Sequence, residues 1–156
     1  MSAPGEAIIN AVSVGVVFIL LGLVFVLALP HNLFEAVIAF FRNMTIRSVG
    51  GTSLQLPAPA NLGVHTILYA AVFQFTLGLA LLQILILILR IGFGSPIRKI
   101  SETAGSLVFW AGAAYLVYLY LNASTMLREW FVFWAGIIIV IGISIIVRGL
   151  VRLARR

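Results

Sequence analysis

Apolar positions along this chain do not alternate with polar ones; they accumulate in four long runs separated by short polar breaks. Residues 7–29 carry no charge, and residues 64–89 hold only His65, at their very edge. The runs 104–121 and 130–147 are equally clean. None shows the period of two that a half-buried strand requires, and all exceed the ~9–11 residues of a membrane-barrel strand. At ~1.5 Å per residue the two shorter runs reach about 27 Å, close to the ~30 Å of a hydrocarbon core. A helix closes its own backbone hydrogen bonds inside lipid, so the expected fold class is all-α. The chain is predicted to be a polytopic membrane protein: one antiparallel bundle of four transmembrane helices spanning residues 1–156. The first run lacks a cationic leader and is too long for the apolar part of a signal peptide, so it is expected to stay as a permanent span.

Between the first two runs lies the one sizeable loop, residues 30–63. Asn32 followed three residues later by Glu35 has the spacing of a helix N-cap and its partner. Phe34, Val37, Ile38 and Phe41 follow as an i, i+3, i+4, i+7 stripe, which predicts a short interfacial helix over Asn32–Asn43. That stripe either packs on the mouth of the bundle or presents a contact surface to a partner. Thr45–Leu56 flanks Gly50-Gly51 with β-branched and apolar residues, the pattern of a small β-hairpin about a two-residue turn. Leu56–Asn61, with Pro57 and Pro59, reads as a stiff extended return to the membrane.

Composition sharpens this picture. Hydrophobic residues make up 63% of the 156-residue chain and charged residues 9%, against about 45–50% and about 25% in soluble domains. Basic residues number 10 and acidic residues 4. The cations sit at the ends of apolar runs, which points to membrane topology rather than to nucleic acid. Arg90, Arg98, Lys99, Arg148, Arg152, Arg155 and Arg156 fall on one side, and Arg42, Arg47 and Arg128 on the other. The positive-inside rule then places both termini in the cytoplasm of a multi-pass cell-membrane protein. Arg98, Lys99, Arg148, Arg152, Arg155 and Arg156 are expected to anchor anionic lipid headgroups along a basic tail, residues 148–156. Trp130, Trp134, Tyr118, Tyr120 and Tyr69 gather near the outer interface, as an aromatic belt would. Two acceptor triplets, at Asn43 and Asn122, fall on that outer side as well. Without cysteine there is no disulfide, thiolate metal site or cysteine nucleophile.

Candidate chemistry inside the membrane is sparse. No ionisable residue stands deep in a run, and such residues mark proton relays and charge-coupled transport. The polar groups at depth are Asn10, Ser13, Gln74, Thr76 and Gln83, which suit interhelical packing bonds or a pore lining. Asn10 and Gln83 are expected at similar depths and close enough to bond. Thr76, Ala80 and Gln83 share one helical face, the best candidate for a polar lining in an oligomer. Small residues recur at spacings that let helices approach closely: Ala7, Ala11 and Gly15, then Gly15/Gly22, Ala71/Gly78, Gly105/Gly112 and Ala135/Gly142. His31, Glu35 and His65 supply the only conceivable surface metal ligands, with no helical zinc motif. Gly92-x-Gly94 lacks the third glycine and preceding strand of a phosphate loop. Ser106 and Ser144 lack a nucleophile-elbow context, and no histidine lies within a span to hold haem. No cofactor, metal or catalytic residue is predicted.

Four spans, a longer first outer loop with strands and a short second loop give a layout similar to that of claudin-like tetraspan proteins. The tryptophan and cysteines that mark the claudin loop have no counterpart in residues 30–63, so no residue role carries over. The leading expectation is a non-enzymatic structural or accessory subunit of a homo- or hetero-oligomeric membrane complex. An oligomeric channel or facilitator for a neutral or weakly charged solute comes second, and a lipid- or quinone-related membrane enzyme third.

Overall fold

The computed structural model describes residues 4–28 and 32–154. His31, weighed above as a metal ligand, and Arg155 and Arg156, expected as headgroup anchors, lie outside the described residues. The elements are α1 (Pro4–Ala28), α2 (Leu33–Arg42), β1 (Met44–Ser48), β2 (Gln55–Pro59), a 3-10 turn (Leu62–Val64), α3 (Thr66–Gly92), α4 (Ile97–Tyr120) and α5 (Leu127–Leu153). Four of these helices, α1, α3, α4 and α5, are long and apolar enough to cross a membrane.

Each long helix runs past its apolar run at the arginine-rich end. The largest extension is in α4, which starts at Ile97 and not near residue 104. Arg98, Lys99 and Glu102 therefore stand on a helix instead of in a loop. The i, i+4 bond from Arg98 Nε to Glu102 Oε1, 3.0 Å, supports that added turn. The break between α3 and α4 shrinks to Phe93–Pro96. It turns on Gly94, held in the left-handed region at φ +65°, while Ser95 N–H donates to Arg90 O at 2.8 Å. A left-handed residue just beyond the last turn is the usual way to satisfy a helix's final carbonyls.

The spans pack in chain order, α1 on α3, α3 on α4 and α4 on α5. Two apolar clusters hold this row together. At the hairpin end Tyr69, Val117, Leu121, Trp130 and Phe133 meet Ala58 and Leu62 of the loop. At the basic end Ile9 of α1 sits among Leu79, Leu82 and Ile86 of α3, with Trp110 beside them. Lipid offers no hydrophobic drive between helices, so closeness of approach decides the contacts. Gly78 receives Leu20, Gly105 receives Arg148 and Gly112 receives Val140. Gly15, Gly22 and Gly142 meet nothing within 4 Å, and Ala11 is exposed, so those small residues face outward. On α5 the glycine that packs is Gly136, against Leu116; Ala135 is exposed. One residue of offset rotates the small face by about a quarter turn, which spacing alone does not resolve.

The loop folds as a helix and a hairpin. Asn32 caps α2 by accepting the Glu35 N–H at 3.4 Å. β1 and β2 pair antiparallel from Met44↔Pro59 to Ser48↔Gln55. The segment expected as an extended proline-stiffened return is thus mostly β2. Its prolines are tolerated because a two-stranded sheet has only edge strands. The connection is longer than two residues. Val49 N–H donates to Leu54 O, and a tighter turn from Val49 to Thr52 places Gly51 at φ +76°. That is the third position of a turn demanding a left-handed residue.

Candidate functional site

Polar side chains concentrate in a layer at the basic end, and Arg90 is its centre. The last turn of α3 aims Arg90 at the first turns of α4. There Nη1 donates to Lys99 O at 2.9 Å and to Thr103 Oγ1. Nη2 reaches Asn10 Oδ1 at 3.4 Å and lies 3.9 Å from Glu6 Oε2, both on α1. One guanidinium thereby ties three spans, using the fan of donors that arginine carries. Glu6 is only 8% exposed, and neither of its carboxylate oxygens meets a hydrogen-bond donor among the described residues. A carboxylate so desolvated depends on the neighbouring cation.

The layer continues onto α5. Glu102 faces Arg98, Lys99 at 3.8 Å and Arg152 at 3.9 Å. Arg152 Nε also donates to Ser101 Oγ at 3.0 Å, and Ser144 Oγ donates to Gly105 O at 2.9 Å. Arg148 lies across Gly105 with its Nε shielded. Expected as simple headgroup anchors, Arg148 and Arg152 also bind α5 to α4. Arg98, Lys99 and Arg152 keep exposed faces, and with one carboxylate among them the outer rim of the layer is positive.

At the hairpin end the residues expected as a lipid-facing belt divide. Trp130 is 3% exposed, and its indole N–H donates to Pro57 O at 3.2 Å. Tyr69 is also buried and bonds Leu62 O at 3.0 Å. Only Tyr118 and Trp134 among these aromatics keep large exposed faces. Phe40 of α2 packs on His65 and Trp130 with ring centroids 5.2 and 6.1 Å apart. Of the predicted contact stripe, Phe34 and Phe41 point outward and Val37 and Ile38 are half-buried. Phe40, outside that stripe, makes the docking contact. His65 is buried, and its Nε2 accepts from Asn43 Nδ2 at 3.3 Å. Burial holds its pKa below the usual 6.5. The Asn43 amide is engaged in this contact, whereas Asn122 sits exposed in the short loop before α5.

Mid-span, the expected polar face does not assemble. Asn10 bonds Arg90 and not Gln83, because α3 extends and carries the guanidinium over it. Thr76 is buried and returns its hydroxyl to Val72 O and Phe73 O at 2.8 and 3.0 Å. Ala80 is buried as well, so that face is turned into the protein. Ser13 and Gln83 are half-buried. Gln74 is exposed, at the lip of a 390 Å³ cleft between α1 and α3. Among the described residues no three His, Cys, Asp or Glu side chains come together to hold a metal.

These features define an integral membrane protein of four helical spans. Compared with known protein families, with curated proteins and with solved structures, the chain matches none.

Proposed function

We propose that this protein is a non-enzymatic structural or accessory subunit of a membrane complex. The observation that carries the reading is how its polar groups are spent. Arg90, Glu6, Asn10, Thr103, Ser101 and Ser144 join helices to one another, and Thr76 closes on its own backbone. Side chains used as fasteners favour a scaffold over a reaction site or a solute path. By the positive-inside rule the basic layer faces the cytoplasm of the cell membrane, and its exposed Arg98, Lys99 and Arg152 engage anionic headgroups. The hairpin, α2 and the exposed Phe34 and Phe41 then face outside as the surface offered to partners.

Purification in a gentle detergent followed by mass spectrometry tests the reading. Stoichiometric self-association or foreign subunits are expected. A strictly monomeric protein that turns over a lipid or quinone would overturn it. The outward-facing Gln74 favours one second reading, an oligomer conducting a neutral solute. Flux into liposomes that vanishes in Gln74→Leu would put that reading first.

A further inference from the structure

We infer that two copies of this chain associate along the exposed face of α3, with the Gln74 carboxamides exchanging hydrogen bonds across a twofold axis. The inference deepens the oligomeric part of the reading above and rests on it.

Gln74 lies about 12 Å below the hairpin end of α3, eight residues beyond Thr66 at ~1.5 Å each, within the apolar depth of the span. Its side chain is exposed and, among the described residues, takes no hydrogen-bond partner. Thr76 nearby turns back on its helix and Ser144 bonds across to Gly105, while Ser13 and Gln83 are half-buried and Asn10 bonds Arg90. Among the described residues Gln74 is thus the span amide that is both exposed and unbonded. Lysine and arginine escape lipid by stretching to the interface, but a glutamine at this depth is too short to do so. An amide left in hydrocarbon is costly, so something outside the monomer must bond it.

The surroundings favour a second copy. Ala70, Gln74, Leu77 and Leu81 follow one another at i, i+4, i+7 and i+11, and all four are exposed. Shallow clefts border this stripe on both sides, 390 Å³ against α1 and 460 Å³ against α4. Ala28, Ala70 and Ala71 line the cleft together with Leu27, Thr66 and Ile67, and the alanines leave room for another helix to come close beside Gln74. Copies in one membrane share a topology, so a twofold axis along the membrane normal places each residue opposite itself at equal depth. An amide carries both a donor and an acceptor, and it is therefore its own complement. A charged or donor-only group would repel its copy; Gln74 satisfies it.

The chain has no cysteine, so Gln74→Cys is a single-cysteine protein. Its disulfide formation in native membranes, under a membrane-permeant oxidant, is compared with that of Ala135→Cys. Ala135 is an exposed α5 position equally far from the hairpin end. Efficient dimer formation by Gln74→Cys and little by Ala135→Cys is expected. Dimerisation measured by energy transfer in bicelles should weaken about three- to thirty-fold in Gln74→Leu, the range that interhelical amide bonds support. Gln74→Asn should retain part of the affinity, and the thermal unfolding of the Gln74→Leu monomer should not change. Cross-linking at Ala135→Cys instead would overturn this interface while leaving self-association standing. Foreign subunits bound stoichiometrically to a chain that never pairs with itself would overturn the second copy and leave the accessory reading intact. A protein monomeric in every arm, without other subunits, would overturn both.

Discussion

Trp130 of α5 donates its indole N–H to the carbonyl of Pro57 in β2, 3.2 Å away and 73 residues apart in the chain. The bond fastens the hairpin to the membrane domain at a half-buried point: Pro57 is itself exposed, while Trp130 and Ala58, the next residue of the strand, are buried. A two-stranded hairpin is marginal by itself, and this contact, with Phe40 packed alongside, supplies the support it needs. Trp130→Phe keeps most of the ring and leaves the Pro57 carbonyl without its donor. It should cost about 1–2 kcal/mol. Trp130→Ala also opens a cavity and should cost about 3–5 kcal/mol. Unfolding in detergent monitored by the remaining tryptophans measures both, and an unchanged midpoint in Trp130→Phe would count against the bond.

Glycine substitutions should sort by what their new methyl meets. A Cβ at Gly63 would strike the backbone carbonyl of Ala123, and one at Gly112 would strike the branched side chain of Val140. Backbone and β-branched neighbours have little room to yield. Gly63→Ala and Gly112→Ala should each lose about 1–3 kcal/mol. Gly22→Ala points into open space and should stay within about 0.5 kcal/mol. Equal melting temperatures for Gly22→Ala and Gly112→Ala would contradict the packing of α4 on α5.

How far these features could be read from the chain depends on their physical range. Hydropathy sums over twenty residues, so the four spans and their antiparallel order were legible. The cap at Asn32 was legible too, because it is written in four consecutive residues. Helix ends at charged residues were not. Ile97–Thr103 looks like a loop by hydropathy, yet Arg98 and Glu102 hold it helical. Trp130 and Tyr69 carry the signal of an interface belt, and only the loop folding over them shows that they are interior. The Arg90 site had one clue, Glu6: an acidic residue at the cation-rich end with no basic residue near it in the sequence, unlike Glu102 beside Arg98 and Lys99. Such a residue needs a cation to face, and Arg90, ending another span on that side, was the nearest choice. Which small residue of α5 packs was not decidable, since Ala135 and Gly136 differ only in rotation about the helix axis.

The Arg90 cluster makes an asymmetric prediction. Arg90→Ala strands a buried carboxylate at Glu6 and removes the donors to Asn10, Thr103 and Lys99 O. Breaking a buried pair from one side typically costs about 3–5 kcal/mol. Glu6→Gln removes the charge and keeps the shape. It should cost much less, because Arg90 retains its other acceptors. α1 packs chiefly on α3, so its release is the expected first event in Arg90→Ala. Proteolysis or hydrogen exchange confined to α1 would register it. Equal losses in the two variants would mean that Arg90 acts chiefly through Glu6 and that its bonds to α4 add little.

His65 should make the hairpin end sensitive to acid. It lies outside the spans, one residue before α3, and burial lowers its folded pKa below 6.5. Between the folded and unfolded pKa values the unfolded chain binds more protons, so stability rises with pH across that window. The contribution of the neutral ring is complete above about pH 6.5 and declines as the pH falls through the folded value. Protonation also places an N–H on Nε2, where Asn43 Nδ2 already donates, so that contact must break or the amide must turn over. The measurable outcome is a fall in melting temperature between about pH 7 and pH 5, together with faster amide exchange in β1 and α2. His65→Gln, which cannot titrate, should flatten the profile over that range. A wild-type profile as flat as that of His65→Gln would show that the ring is solvated rather than enclosed by Phe40 and Tyr69.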